Sequence, residues 1–225
     1  MADNPLFYDA MADDWDERMD RREVAKRLRL VFGSLLTPEE VRGRRTLDAG
    51  CGTGRFSKVL ADWGASLVSL DIGPALVEKT RRRTGARAVC GDLTGLPFED
   101  AAFDVVLSTE AVEHTRDPRR AVAELCRVVA PGGTLVLTTP NRLWHPAITL
   151  ATRLRLRPYA GIENWAWPGE LRGWVRGAGL TVVRSQGFNL LPHTFFCGPA
   201  FDALDRVPGL APLMINTALK AARPR

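Results

Sequence analysis

One run of residues, Leu47-Asp48-Ala49-Gly50-Cys51-Gly52-Thr53-Gly54, constrains the fold more than any other feature of this chain. A short apolar stretch, Thr46 to Ala49, runs into glycines at alternate positions. Phe56, Val59, Leu60 and Trp63 then recur at the 3-and-4 spacing of a helix. Glycine lets the backbone turn tightly and come close to a ligand with no Cβ in the way. A dinucleotide loop would read G-x-G-x-x-G. Here the spacing is G-x-G-x-G, and Asp48 stands two residues before the first glycine. That acid disfavours a pyrophosphate and suits a ligand with a positive charge and an amino group.

The residues that follow keep the same alternation. Ser66–Asp71 reads as a second strand, Ala75–Arg83 as a helix opened by Pro74, and Ala86–Cys90 as a third strand. Phe103–Ser108 reads as a fourth strand. Asp117-Pro118 caps a helix expected to run to about Ala130, where Pro131-Gly132-Gly133 stops it, and Thr134–Thr139 is the fifth strand. Trp165–Gly179 reads as a helix and Leu180–Arg184 as a sixth strand; Met214–Ala222 fits either a strand or a helix. Strands alternating with helices imply a doubly wound, mostly parallel sheet with helices on both faces, an α/β Rossmann-like fold. The expected organisation is a single domain over 1–225, with a helical cap at 1–40 and a lid inserted at 142–168.

Such sheets bind ligands at the carboxyl ends of their strands. Asp71 ends the second strand, where an acid accepts hydrogen bonds from a ribose diol. Asp92 follows the third strand and is placed to accept from an adenine amino group. A nucleoside with a cationic end and no phosphate is S-adenosylmethionine.

These motifs resemble those of the class I S-adenosylmethionine-dependent methyltransferases, in the branch that holds the ubiquinone-biosynthesis O-methyltransferases and many bacterial natural-product methyltransferases. The resemblance rests on LDAGCGTG (47–54), Asp71, GDLTGLPF (91–98), FDVVLSTEAVEH (103–114) and CRVVAPGGTLVLTTPNR (126–142). It implies a seven-stranded sheet with a small lid. It implies that Asp48, Gly50, Cys51, Gly52 and Gly54 flank the methionine end of the cofactor. Asp71 with Ile72 would take the ribose, Asp92 with the backbone of Leu93 the adenine, and Thr109 with Glu110 would line the methyl-transfer face. The opening segment Tyr8–Trp15 resembles the one that closes over the cofactor in this family.

Methyl transfer from a sulfonium needs alignment, exclusion of water and, for a hydroxyl acceptor, a base. His114, just past the fourth strand and near Asp117, is the first candidate base, with Glu110 beside it; His145 and His193 are further candidates. Glu110, Glu113 and His114 also admit a divalent cation, with Glu163 as a further ligand, an alternative the sequence does not favour. Trp144, Trp165, Trp167, Phe188, Phe195 and Phe196 are candidates for an aromatic acceptor pocket or for core. The expected acceptor is a hydrophobic small molecule methylated on oxygen, a secondary metabolite or quinone-like compound. Methylation of an amine or amino sugar is the alternative, and methylation of an RNA 2′-hydroxyl a weaker one.

Composition bears on partners. The net charge of +5 comes from arginines in short scattered runs, which an arginine-rich solvated surface explains without nucleic acid. Residues 142–159 mix leucines with arginines, a make-up that suits a lid or a weak contact with a membrane surface. Cys51, Cys90, Cys126 and Cys197 form no C-x-x-C pair, and the acidic N-terminus does not read as a signal peptide, so a cytoplasmic monomer or homodimer is expected.

Overall fold

Alternation of apolar residues along the central strands decides the architecture. In β4 (Phe103–Thr109), Val106 points into one core while Val105 and Leu107 point into another. In β5 (Val129–Pro140), Leu135 and Leu137 join the first core and Val136 the second. A strand buried on both faces needs cover on both, which is how a parallel sheet is stable. The computed structural model describes residues 6–7, 9–13, 21–154, 161–189 and 210–225.

Among these residues the strands form one seven-stranded sheet of order β3-β2-β1-β4-β5-β7-β6. The remaining strands are β1 (Arg45–Ala49), β2 (Ser66–Asp71), β3 (Arg87–Cys90), β6 (Thr181–Phe188) and β7 (Asn216–Ala222). β1 to β5 pair in parallel, and β7 runs antiparallel between β5 and β6. The helices are α1 (Arg21–Leu30), α2 (Pro38–Val41), α3 (Arg55–Asp62), α4 (Pro74–Thr84), α5 (Pro118–Arg127), α6 (His145–Arg153) and α7 (Pro168–Gly177). Ala121, Val122 and Leu125 of α5 and Leu171 and Val175 of α7 pack on one face of the sheet. Phe56 and Leu60 of α3 pack on the other, with Val31 and Leu35 from the wider, π-type turns that extend α1. Strand order reverses between β1 and β4, so a crevice opens beyond their carboxyl ends.

Several expected boundaries move. The helix opened by Pro118 ends at Arg127, and β5 begins at Val129 rather than Thr134. Pro131-Gly132-Gly133 does not stop a helix there. It makes an irregular step inside the strand, where the pairing with β4 shifts register between Phe103 and Val105. A Cβ on Gly133 would fall 2.8 Å from the carbonyl oxygens of Ala130 and Asp104, so glycine is required. The helix expected from Trp165 starts at Pro168. Trp167 is extended, as a residue before proline tends to be, and its N–H donates to Glu170 Oε2 at 2.9 Å. The sixth strand runs on to Phe188, and the undecided last segment is the strand β7. Among the described residues, no helix is long and apolar enough to cross a membrane.

Leu125 is fully buried between α5 and the sheet. Leu125→Ala is expected to lower unfolding stability by about 3 kcal/mol in urea titration, the usual cost of a methyl-deleted core leucine. Leu154, 61% exposed, is the control: Leu154→Ala is expected to change stability by less than about 0.5 kcal/mol.

Candidate active site

A cavity of about 680 Å³ lies over the switch in strand order. The turn after β1 supplies its floor. Gly50, Gly52 and Gly54 all have positive φ, at 78°, 53° and 79°. The reasons differ by position. A Cβ on Gly50 would lie 2.3 Å from that of Ala111, and one on Gly54 within 2.9 Å of the Thr80 backbone. A Cβ on Gly52 would meet no protein atom within 4 Å. Gly50, Cys51, Gly52 and Thr53 line the cavity.

Asp71 fixes this turn. Its Oδ2 accepts from the Gly52 N–H at 2.8 Å and its Oδ1 from the Gly73 N–H at 3.1 Å. Burial raises its pKa, and these backbone donors oppose the rise. Ile72, Asp92, Leu93 and Thr109 also reach the cavity wall. Asp92 Oδ1 accepts from both the N–H and the hydroxyl of Thr94, at 2.8 and 2.9 Å, which shapes the turn after β3.

Asp48 and Gly54 are placed differently from the expectation, since neither lines the cavity. Asp48 lies beneath the turn, where its Oδ2 accepts from the Ser57 hydroxyl of α3, while Gly54 packs on Thr80. Asp48 is fully buried, and desolvation pushes its pKa up to about 7. Burial likewise holds the Cys51 thiol well above its usual pKa, so it stays protonated.

The segment after β4 adds further ionisable groups to the cavity. Glu110 follows β4 with φ at +49°, a conformation that costs a non-glycine residue about 1–3 kcal/mol. Its Oε2 accepts from Asn216 Nδ2 at 2.7 Å. Burial raises the Glu110 pKa, and the Arg27 guanidinium opposes that. Glu113 is 1% exposed, accepts from the Thr139 hydroxyl at 3.2 Å, and is held well above the carboxylate range by burial and by the charge of Glu110.

His114 lines the cavity, but Asp117 does not orient it. The Asp117 carboxylate accepts from the Arg120 N–H and caps α5. His114 Nδ1 instead lies 2.9 Å from the Ile162 carbonyl oxygen. A carbonyl only accepts, so Nδ1 carries the proton and Nε2 is the basic nitrogen, 3.8 Å from Glu113 Oε1. Among the described residues, no three His, Cys, Asp or Glu side chains are grouped to hold a metal ion, so Glu110, Glu113 and His114 are not gathered as the alternative metal triplet would need.

A profile of methyltransferase domains matches residues 47–137, from β1 through most of β5. The chain is 34% identical over 196 residues to the ubiquinone biosynthesis O-methyltransferase of Xanthomonas euvesicatoria pv. vesicatoria, covering 80% of this chain and 81% of that protein. It is 31% identical over 169 residues to the demethylmenaquinone methyltransferase of Renibacterium salmoninarum, covering 66% and 71%. This chain belongs to the class I S-adenosylmethionine-dependent methyltransferases. The methyltransferase fold is shared with a Haloferax volcanii putative methyltransferase solved in complex with the activator Trm112, at a TM-score of 0.70, 22% identity and 97% and 98% coverage. A Mesorhizobium loti S-adenosylmethionine-dependent methyltransferase aligns at a TM-score of 0.65 and 20% identity, over 82% of this chain and 93% of that one.

Asp9, from the opening segment expected to close over the cofactor, lines the cavity of the methyltransferase, and so do residues that motif reading passed over: Glu23, Val24 and Arg27 of α1. Arg27 falls between Val24 and Val31 on the buried face of α1, and a cation within an apolar stripe is the signal that marks it. Ile162, Glu163 and Trp165, from the expected lid, complete the wall. His145 packs edge-on against Trp165, with ring centroids 5.4 Å apart. Tyr8, Asp14, Trp15, Arg155, Leu156, Arg157, Tyr159, His193, Phe195, Phe196 and Cys197 lie outside the described residues.

Asp48 gives a pH prediction. Its pKa is about 7 when folded against 3.8 for the free side chain, so between these values the folded state binds more protons than the unfolded one. Its contribution to stability is therefore full below about pH 4 and is lost as pH rises to 7. Denaturant titrations from pH 4 to 8 are expected to show Asp48→Asn gaining stability relative to wild type as pH rises. A constant difference across that range would contradict it.

Proposed function

We propose that this methyltransferase transfers a methyl group to an oxygen of a hydrophobic small molecule. The observation that carries the reading is His114, whose Nδ1 is tied to the Ile162 carbonyl so that the basic Nε2 belongs to a cavity wall shared with Val24, Phe56, Leu76 and Trp165. Both the Xanthomonas relative and a malonyl-[acyl-carrier protein] O-methyltransferase of Serratia marcescens, 39% identical over 120 residues, are named for transfer to oxygen. The Serratia match covers 53% of this chain and 45% of that protein.

The residues of the cavity fit S-adenosylmethionine, because Gly52 leaves open space where any other residue would put a Cβ. Asp71 would hold the ribose hydroxyls with the acceptor capacity that Gly52 and Gly73 leave unused. Asp92 and the Leu93 backbone would hold the adenine, and the backbone of Gly50 to Gly52, with Thr109, the methionine end. The bound cofactor supplies a methyl group on a sulfonium, which leaves without further activation. The chain supplies position, dryness and a base. His114 Nε2 takes the proton of the acceptor hydroxyl, while the Ile162 carbonyl oxygen holds the proton on Nδ1. The whole chain is read as one catalytic domain. Residues 1–40 act as a cap, which delivers Arg27, and 142–168 as a lid, which delivers Ile162 and Trp165.

His114→Ala is expected to lower kcat by about 100-fold or more for a hydroxyl acceptor, with little change in affinity for S-adenosylhomocysteine. The assay is transfer of labelled methyl from S-adenosylmethionine into a panel of phenols, sugars and quinone precursors. A near wild-type His114→Ala enzyme would favour an amine acceptor instead, for which positioning suffices. Asp71→Ala is expected to weaken S-adenosylhomocysteine binding by at least about 1.5–3 kcal/mol in calorimetry, since it removes a charged acceptor and frees the turn at Gly52. Gly52→Val is expected to abolish that binding by filling the open space.

A further inference from the structure

Residues 161–166 are stitched to the ends of two strands. Ala166 forms a bridge with Asn141, just past β5, and its carbonyl oxygen accepts from the Arg142 N–H at 3.1 Å. Asn164 meets the turn past β4. Its backbone N–H donates to the Glu113 carbonyl oxygen at 2.7 Å, and its side-chain Nδ2 donates to the Thr115 carbonyl oxygen at 2.8 Å. These two acceptors flank His114 in the chain. The His114 ring reaches back to the same segment, where Nδ1 lies 2.9 Å from the Ile162 carbonyl oxygen. Three hydrogen bonds thus gather one short stretch of chain around one imidazole.

The three bonds differ in what they demand of the sequence. Any residue but proline supplies the backbone N–H at 164. Every residue supplies a carbonyl at 162. The bond to Thr115 is the selective one, because a carbonyl oxygen only accepts and the side chain at 164 must bring an N–H to it. Asn164 is exposed, whereas its neighbours Ile162 and Trp165 are buried and line the cavity. Its amide is therefore no part of the core. The helical turn Val112–His114 is three residues long, too short to satisfy its own last carbonyls, and Asn164 brings two donors to that end.

We propose that Asn164 is a positioning residue for His114: by bracketing Glu113 and Thr115 it holds the Ile162 carbonyl against Nδ1, and so fixes the tautomer that leaves Nε2 basic. The base is then formed only while residues 161–166 are seated on the turn past β4. The inference rests on the proposed role of His114, but the tautomer is read without turnover.

Asn164→Leu and Asn164→Asp keep the branched outline and the backbone N–H and lose the donor to Thr115. The ring proton of His114 is located by proton–nitrogen correlation NMR on the full chain, with His114→Ala identifying the signals. The measurement is made at about pH 9, well above the ordinary imidazole pKa of about 6.5. Wild type is expected to carry the proton on Nδ1 alone. Both variants are expected to show a mixture of the two tautomers, with kcat for a hydroxyl acceptor lowered about 5-fold and affinity for S-adenosylhomocysteine little changed. Because position 164 is exposed, their thermal unfolding is expected to stay near that of wild type. A single Nδ1–H tautomer in both variants, or a mixture already present in wild type, would overturn the positioning role whatever the activity. Mixed tautomers with undiminished kcat would sustain it and count against His114 as the base, so the two readings fail separately.

Discussion

The carboxylate of Asp71 joins the ends of two neighbouring strands into one binding surface. One oxygen holds the Gly52 N–H from the turn after β1, and the other holds the Gly73 N–H that leads into α4. The turn therefore cannot relax without breaking a hydrogen bond to a buried charge, among the stronger kinds available to a protein. A second acid extends the arrangement. Asp9 Oδ1 accepts from the N–H groups of Ala75 and Leu76 at 2.7 and 3.2 Å, so the start of α4 is capped by a residue from the beginning of the chain. Lys79 on the same helix reaches the Ala12 carbonyl oxygen at 2.6 Å. Floor, wall and N-terminal segment are thus tied through a few side chains at one helix end.

Burial of acids is the other theme. Asp48, Asp71, Glu110 and Glu113 are all shielded from water, and burial raises the pKa of each. The first two meet it with hydroxyl and backbone donors, the usual way to keep a carboxylate in a protein interior. The glutamates share one guanidinium, from Arg27, and repel each other, which favours a proton on Glu113.

The central strands and the glycine turn were legible because their signals are local. β2 has its expected bounds of Ser66 and Asp71, and β1 begins one residue before the expected Thr46. Where two local signals conflict, the stronger tertiary demand decides. Pro131-Gly132-Gly133 reads as a helix stop, yet pairing of Val129 with Phe103 draws the strand back past it. The site was half legible. Motif spacing finds Asp71, Asp92 and His114, but it cannot find the Ile162 carbonyl, which is 48 residues from His114 and meets it only after the chain has crossed the cavity. Nor does a motif announce Arg27, whose meaning comes from the apolar neighbours of its helix face and from Glu110, just past a strand distant in sequence.

The reversed strand β7 has a consequence for synthesis. Among the described strands, β6 pairs only with β7, and β7 lies between it and β5. A ribosome releases β6 before β7, the strand that joins it to β5, so β6 can enter the sheet only together with β7. Asn216, the first residue of β7, is also the residue that anchors Glu110. The nascent chain can then close its glycine turn early, while Glu110 gains its anchor only once β7 has slotted in beside β5.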